Sequence, residues 1–563
     1  MNKIWEVKNP EIALRESLAN SLKISPITAQ LLINRGITDE LQAAHFLYGD
    51  MRSAHDPFLL KDIKKARDRI KLAISKSEKI LVYGDYDVDG ITGAALLYTV
   101  LKHLKADVES YVPNRLEEGY GLNKEAVKAA RKKKTSLIIT VDCGISAHEE
   151  VRLAGSLGID VIITDHHEIK IDSLPPAHAI INPLQKDCAY PFKHLAGVAV
   201  AYKLAQTLVE KTHYPIEEHL DLVALGTVSD ISRQQGENRI LTKCGLKRLN
   251  DTKKKGLRAL IEVSGLKGKN ISCAHIGFAL GPRINAMGRV GSPELALELL
   301  LTDDANEAKL LAERLNAENR SRQRIESKVL EEALDKIKIE VNFKDTRVIV
   351  LAGENWHPGV VGIVANRIID RFYRPTIIIA LDGKKGKGSG RSIDGFHLFD
   401  AITSCGEWLL DFGGHKAACG LAIEKKHIEK FREQINDIAS RIIDQEHLSP
   451  RLSVDQEIKL ADLNEKLIEE LALLSPFGPK NPRPLFISRN LVLRDAPKRI
   501  GKNGFKIWVT DGNATCEAIS FKDGSMGMSS AGEKVHLVYT PSLNSWQGIS
   551  TMQLDLKDIK TVF

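Results

Sequence analysis

From about residue 78 to residue 230 the chain repeats one pattern: an apolar run of strand length, a polar turn, then an amphipathic stretch of helical length. KILVYGD, DVESYVP, SLIITVDCG and IDVIITDHH are the runs, and helical stretches near 91–104, 124–133 and 147–157 separate them. Runs of Val, Ile and Leu without polar alternation are buried on both faces, which needs helices on either side, so the pattern predicts an α/β domain with a mainly parallel sheet. This architecture also constrains where chemistry sits. In an open parallel sheet the carboxyl ends of the strands share one edge, and residues just beyond each run converge there from distant positions.

Those positions are acidic. GDYDVDG places Asp85, Asp87 and Asp89 at alternate positions directly after the first run. Three carboxylates so close repel one another unless a cation offsets their charge, and a divalent metal is the economical answer. An acidic turn that merely caps the next helix is the other reading. Recurrence favours the metal: Asp142 follows a second run, Asp165, His166 and His167 follow a third, and Asp230 follows a helical stretch. Carboxylates with imidazole and no thiolate suit Mn²⁺ or Mg²⁺ better than zinc. Water activation and charge stabilisation by one or two such ions is the chemistry of phosphodiester hydrolysis.

The rest of the 563-residue chain is too long for one core and predicts about three or four domains. Residues 1–55 read as short helices, with Ser25 a cap and Pro26 suited to a first turn. Residues 304–339 carry apolar residues at helical spacing with no Pro or Gly, which predicts one long helix bridging two lobes. TRVIVLAGENWHPGVVGIVANRI and RPTIIIALDG predict a second, smaller α/β lobe, ending near a polar helix around 424–443. After about 446 short alternating segments predict an all-β module, a small barrel of the OB type.

Three further motifs bear on substrate. GPRINAMGR places Arg283 and Arg289 on either side of Asn285, across a loop held by Gly281, Pro282 and Gly288; guanidinium forks pair well with phosphate, although a structural arginine is the alternative. GSGRSIDGFHL and FGGHKAACG read as Gly-rich loops presenting Ser389, Arg391, Ser392 and His415, with Gly413 and Gly414 letting backbone amides approach a phosphate. Of the lysine runs, KKGKG at 384–388 adjoins the first of these. In the β module Phe505, Trp508, Phe521 and Trp546 interleave with Lys502, Lys506 and Lys522, a composition suited to stacking bases over a basic groove. Half or more of those aromatics are expected in the core. His357 reads as part of a loop before a helix.

Composition narrows the class further. The apolar share is 43% and the charged share 27%, ordinary for a water-soluble protein, and the net charge of +7 is compatible with a polyanionic partner without identifying one. The seven cysteines are scattered with no C-x-x-C pair, which disfavours zinc and disulfide scaffolds and points to a reducing compartment. The N-terminal stretch lacks the apolar core of a signal peptide, and a cytoplasmic, unanchored protein is expected.

Taken together, GDYDVDG and the DHH at 165–167 resemble the DHH phosphoesterase superfamily. The later motifs, in order, resemble its single-stranded-DNA-specific exonuclease branch. The resemblance implies two α/β lobes, DHH and DHHA1-like, joined by a long helix, with a C-terminal OB-like β-barrel. It divides the chain into an N-terminal helical segment (1–55), a DHH catalytic domain (56–303), a connecting helix (304–338), a DHHA1-like substrate-binding domain (339–445) and an OB-like nucleic-acid-binding domain (446–563). It implies Asp87, Asp89, Asp142, His166, His167 and Asp230 as catalytic metal-site residues holding two Mn²⁺ or Mg²⁺ ions. Asp85 joins them as a weaker ligand and Asp165 as an orienting group. Tyr83 stands where many other members carry a metal-binding His, four residues before Asp87. The implied activity is digestion of single-stranded DNA from the 5′ end to 5′-mononucleotides, in recombination and repair. A single-stranded-DNA-binding protein and a helicase are the implied partners, and a monomer is the default. Two rival readings are a DHH phosphoesterase for short oligonucleotides or cyclic dinucleotides and a non-catalytic DNA-binding scaffold. The GPRINAMGR motif and added β module argue against the first; the retained metal carboxylates argue against the second.

Overall fold

The computed structural model describes residues 3–114, 118–169, 173–444, 446–501, 504–521, 530–546 and 549–562. They form two bodies, one of residues 5–288, 292–313 and 453–563, the other of residues 314–452 with 289–291 and 3–4. Among the described residues no helix is long and apolar enough to cross a membrane.

The first body is built on the predicted parallel sheet. Its strands are β1 (Lys79–Gly84), β2 (Val108–Tyr111), β3 (Thr135–Val141), β4 (Asp160–Thr164) and β5 (Ala179–Ile181), in the order β2-β1-β3-β4-β5 and all parallel. The order reverses between β1 and β3, and such a switch point opens a crevice at the carboxyl edge. Ile80, Val82, Ile138, Ile139, Ile162 and Ile163 are fully buried, as strands covered on both faces require. Helix α1 (Val88–His103) covers one face and packs against α2 (Gly197–Val209). At Gly93 a Cβ would lie 2.5 Å from Val141 and 3.2 Å from the backbone of Val198, so only glycine lets helix, helix and strand approach this closely.

The N-terminal helices belong to the same body and share a core with the C-terminal barrel: Leu18, Leu31, Leu32 and Leu47 cluster with Leu467, Phe486, Leu537 and Tyr539. Ser25 caps the helix Pro26–Ile33 as expected, accepting from Thr28 N at 3.1 Å. Glu470 accepts from Ser25 Oγ and Thr28 Oγ1, both at 2.6 Å. Arg239 is buried, its guanidinium 4.0 Å from the Phe46 ring centre and bonded to the carbonyls of Leu473 and Ser475. In the barrel, Phe486–Leu493, Lys534–Trp546, Ile549–Thr561, Thr515–Ser520 and Gly504–Thr510 pair in a ring that Val492 and Thr510 close. The segment is not all β. Helix Glu465–Leu473 interrupts it, capped by Asn464 and burying Leu467 and Leu471, because LIEELALL carries helical and not alternating spacing.

The predicted long helix is one element of 36 residues, Ala305–Glu340, and the division between the bodies falls within it. The second body carries β6 (Ile349–Glu354), β7 (Thr376–Asp382), β8 (Lys385–Arg391), β9 (Leu409–His415) and β10 (Ala418–Glu424), ordered β9-β10-β8-β7-β6. Only β6 and β7 are parallel. Helices Val361–Phe372 and Ile428–Ile442 accompany them.

Two expectations are corrected here. GPRINAMGR is not a loop: Gly281–Val290 is a helix, preceded by a π-helical turn, Ile276–Leu280, which accommodates Pro282. GSGR and FGGH are not loops either but parts of β8 and β9, where tertiary pairing overrides the low strand propensity of glycine.

Candidate metal centre and phosphate-binding surface

Each carboxylate of the first sheet is positioned by a strand end and a helix start. Asp87 caps α1, its Oδ1 accepting from Asp89 N at 2.8 Å and Gly90 N at 3.2 Å. Asp89, fully buried, accepts from Gly197 N at 2.7 Å and Val198 N at 2.9 Å, so the amino end of α2 faces its charge. Asp142 takes a left-handed backbone, φ 62°, beyond β3. A Cβ on Gly197 would sit 2.7 Å from Asp142 Oδ1, which leaves glycine as the residue that fits. Asp230 ends the helix Leu220–Ser229 and accepts from Ser232 Oγ at 2.5 Å.

These residues overlap in three sets whose donor atoms lie within 4.8 Å of one another: Asp142 with His166 and His167, Asp89 with His166 and Asp230, and Asp85 with Asp87 and Asp142. His166 Nε2 and Asp142 Oδ1 are 3.0 Å apart, yet both are buried without a hydrogen-bond partner, as is Asp85 Oδ1. Unpartnered buried polar atoms are costly. Ligands at right angles on an ion with bonds of about 2.1 Å stand about 3 Å apart, so the donor set fits Mn²⁺ or Mg²⁺.

Electrostatics agree. Burial, then repulsion from Asp87, pushes Asp85 up to about 8. Burial and neighbouring carboxylates hold Asp89 and Asp142 well above the usual range, and burial also raises Asp230. Burial pushes His166 down, toward the neutral imidazole a metal needs. Asp165 differs. Although buried, it is lowered by the hydrogen bond and charge of His167, and every oxygen is occupied: Oδ2 accepts from Ile145 N, and Oδ1 from His166 N, His167 N and His167 Nδ1 at 2.7 Å. Against its own burial, His167 is raised to about 9 by that bond. Asp165 therefore holds the His167 ring and the His166 backbone N–H, and it is in none of the three sets. Tyr83 is buried too, its hydroxyl donating to Gly121 O at 2.9 Å and accepting from Asn123 Nδ2 at 3.2 Å, and it joins no set.

The helix Gly281–Val290 meets this loop. Asn285 Oδ1 accepts from Val88 N at 3.3 Å, and a Cβ on Gly288 would lie 3.0 Å from Tyr86 O. Arg283 Nη1 donates to Ala279 O at 2.7 Å; Arg289, grouped with the second body, donates to Gly359 O at 3.1 Å.

In the second body, paired strand positions share a face. Gly413 pairs with Gly420 and Gly420 with Ser389; His415 pairs with Ala418 and Ala418 with Arg391. Two adjacent rows thus put Ser389, Arg391, Gly413 and His415 on one side, with nothing within 4 Å above Gly413 or Gly420. Arg391 Nη1 donates to Ser389 Oγ at 2.9 Å, and a Cβ on Gly362 would sit 2.9 Å from both side chains. The first turn of helix Val361–Phe372 therefore reaches Ser389 and Arg391, a setting suited to an anion. Gly414 lies on the opposite side, φ 146°, where a Cβ would collide with Ala418 O at 2.4 Å. Ser392 donates to Phe396 O at 2.9 Å, and His357 Nδ1 accepts from Gly359 N at 3.0 Å.

In the barrel Phe505 is buried, whereas Trp508 and Phe521 are exposed; Lys506 pairs with Glu517 at 2.9 Å. Lys502, Lys522 and the Trp546 side chain lie outside the described residues. No motif signalled the amides of Gly197 and Val198, or Tyr120, whose hydroxyl lies 3.4 Å from His167.

The chain matches the DHH family, N-terminal domain, over residues 79–227, the DHHA1 domain over 345–441 and the RecJ OB domain over 454–558. It is 40% identical to the single-stranded-DNA-specific exonuclease RecJ of Bacillus subtilis, across 98% of this chain and 70% of that protein. It is 35% identical to the Escherichia coli protein of the same name, across 95% and 96%. The crystal structure of RecJ in complex with Mn²⁺ from Thermus thermophilus superposes with a TM-score of 0.85 at 31% identity, covering 99% of this chain and 79% of that one; a Mg²⁺ complex scores 0.80 at 30% identity, covering 99% and 78%.

Proposed function

The chain belongs to the RecJ family of single-stranded-DNA-specific exonucleases, and from that membership we propose that it hydrolyses single-stranded DNA with Mn²⁺ or Mg²⁺, 5′ to 3′, releasing 5′-mononucleotides in recombination and repair. The observation that carries the reading is the trio of overlapping donor sets with buried atoms that lack hydrogen-bond partners. Asp87, Asp89, Asp142, His166 and Asp230 would hold the ions, with Asp85 and His167 completing the sets. Such ions supply Lewis acidity, activating water and offsetting charge at phosphorus.

The chain's own groups do the rest. The Gly197 and Val198 amides fix Asp89 in place, and Asp165 fixes the His167 imidazole and the His166 backbone, so the donors are preorganised before substrate arrives. His167 lies half exposed beside Asp142, its Nδ1 held by Asp165 at 2.7 Å. Ser389, Arg391 and His415 grip the backbone over the bare Gly413 strip, and Arg283 and Arg289 add positive charge; Asn285 supports the metal loop through Val88. The division proposed is a DHH catalytic domain at 56–303, a connecting helix at 304–338, a DHHA1-like domain at 339–445 and an OB-like domain at 446–563, with an N-terminal helical segment at 1–55 whose helices share the barrel's core. A cytoplasmic monomer working with a single-stranded-DNA-binding protein and a helicase completes the proposal.

The test is digestion of a long single strand labelled at either end, beside its duplex and a dinucleotide, with Asp142→Ala as control. Metal-dependent release of a labelled mononucleotide from the 5′ end of the single strand is expected. Cleavage of the dinucleotide alone, or binding without cleavage, would overturn it.

A further inference from the structure

The helical run from Cys273 to Val290 contains a proline, and the structure shows what becomes of it. Pro282 has no N–H, and its ring crowds the carbonyl four residues back, that of Phe278. The run widens there into the π turn Ile276–Leu280 instead of breaking. Ile276 and Leu280 face the core, fully buried, while Phe278 is turned out and 88% exposed. A large aromatic side chain so exposed forgoes burial that other outward positions have no reason to offer.

The turn sits beside the metal residues, within one body. A Cβ on Gly281 would lie 2.7 Å from Ser229 Oγ, and Ser229 immediately precedes Asp230. Phe278 is thus about one helical turn, roughly 5 Å of rise, from that contact. Ile231, directly after Asp230, is a second outward apolar group, 72% exposed. Its φ of 61° is a strained conformation for a β-branched residue. Cations continue the surface. Arg233 is exposed, and Gln234 N donates to Pro479 O at 2.8 Å, which brings the 477–483 segment alongside. There the guanidinium of Arg483, itself exposed, lies 5.7 Å from the Phe477 ring centre, and its charge is felt by the Cys273 thiol.

We infer that Phe278, turned outward by the π turn that Pro282 imposes, is a stacking platform for an unpaired base of the strand being digested, with Ile231 at its edge and Arg233 and Arg483 along the backbone path. The inference rests on the single-strand exonuclease reading. It adds a source of strand selectivity, because a duplex keeps its π faces inside its own stack whereas a single strand offers them to any aromatic platform, whatever the base.

The experiment uses the full chain with Phe278→Ala and Phe278→Trp, and single strands carrying 2-aminopurine at successive positions from the 5′ end. In EDTA, wild type quenches one position most strongly; F278A loses that quenching and binds about tenfold more weakly, and F278W restores both. With Mn²⁺, KM for the long strand rises by the same factor in F278A while kcat changes less than twofold. Wild-type quenching and KM in F278A would overturn the platform. So would a fall of more than a few degrees in its melting midpoint, which would make Phe278 a packing residue. A wild type that binds and quenches but does not cleave would overturn the exonuclease reading and leave the platform standing.

Discussion

The two sheets start from the same β-α-β material and end with opposite electrostatic surfaces. In the first, β1 to β5 are all parallel, so their carboxyl ends meet at one edge and Asp85, Asp142 and His166 arrive together there. In the second, only β6 and β7 are parallel; the antiparallel β8, β9 and β10 present a face instead of an edge, and glycine strips that face bare beside Ser389 and Arg391. An edge gathers several side chains around one point, as a cation needs. A face with an arginine and a helix start leaves room for an extended anion.

The sharpest way to break this comparison is Asp142→Asn. A shared donor of two sets should cost at least about 10³-fold in kcat with Mn²⁺, while the melting midpoint in EDTA at neutral pH rises because folding no longer has to protonate a buried carboxylate. Retention of activity within tenfold would remove the edge from the chemistry. Next comes Arg391→Ala on the face. Loss of one charge-assisted phosphate contact should raise KM for single strands about 100-fold and leave metal affinity unchanged, which titration with Mn²⁺ checks.

The pH dependence of the metal-free protein sharpens the contrast. Asp85, at about 8, and Asp89 and Asp142, raised by burial, keep protons in the folded chain that the unfolded chain surrenders above about pH 4. The folded state therefore binds more protons across that window, and stability falls as pH rises from about 4 to 8. His167, raised to about 9, acts in the same direction. Melting in EDTA should drop by several degrees between pH 5 and pH 8, and Mn²⁺ should flatten the slope; a rising midpoint would contradict the charge assignment. Smallest is a pair of glycine changes in the second sheet. Gly388→Ala meets Leu421 at 2.8 Å and Ile379 at 3.1 Å and should destabilise by about 1–3 kcal/mol. Gly413→Ala meets nothing and should leave melting unchanged while weakening strand binding a few-fold.

The parallel sheet and its acidic edge were legible because both depend on local pattern: apolar runs of strand length, each closed by an acid or histidine, determine burial and place the side chains at strand ends. The long helix and the Ser25 cap were legible for the same reason, since spacing and capping act within a few residues.

What only tertiary structure decided comes from partners far along the chain. Asp89 is clamped by amides 108 residues away, and the N-terminal helices find their core in a barrel whose Glu470 stands 445 residues from Ser25. Glycine and proline misled local reading in two places: strand pairing made β8 and β9 from Gly-rich segments, and packing carried a helix through Pro282 by widening it. The physical reason is common to all these cases. Local propensities are worth about 1 kcal/mol per residue for glycine and about 3 for proline, and burial and backbone hydrogen bonding across a packed fold exceed them.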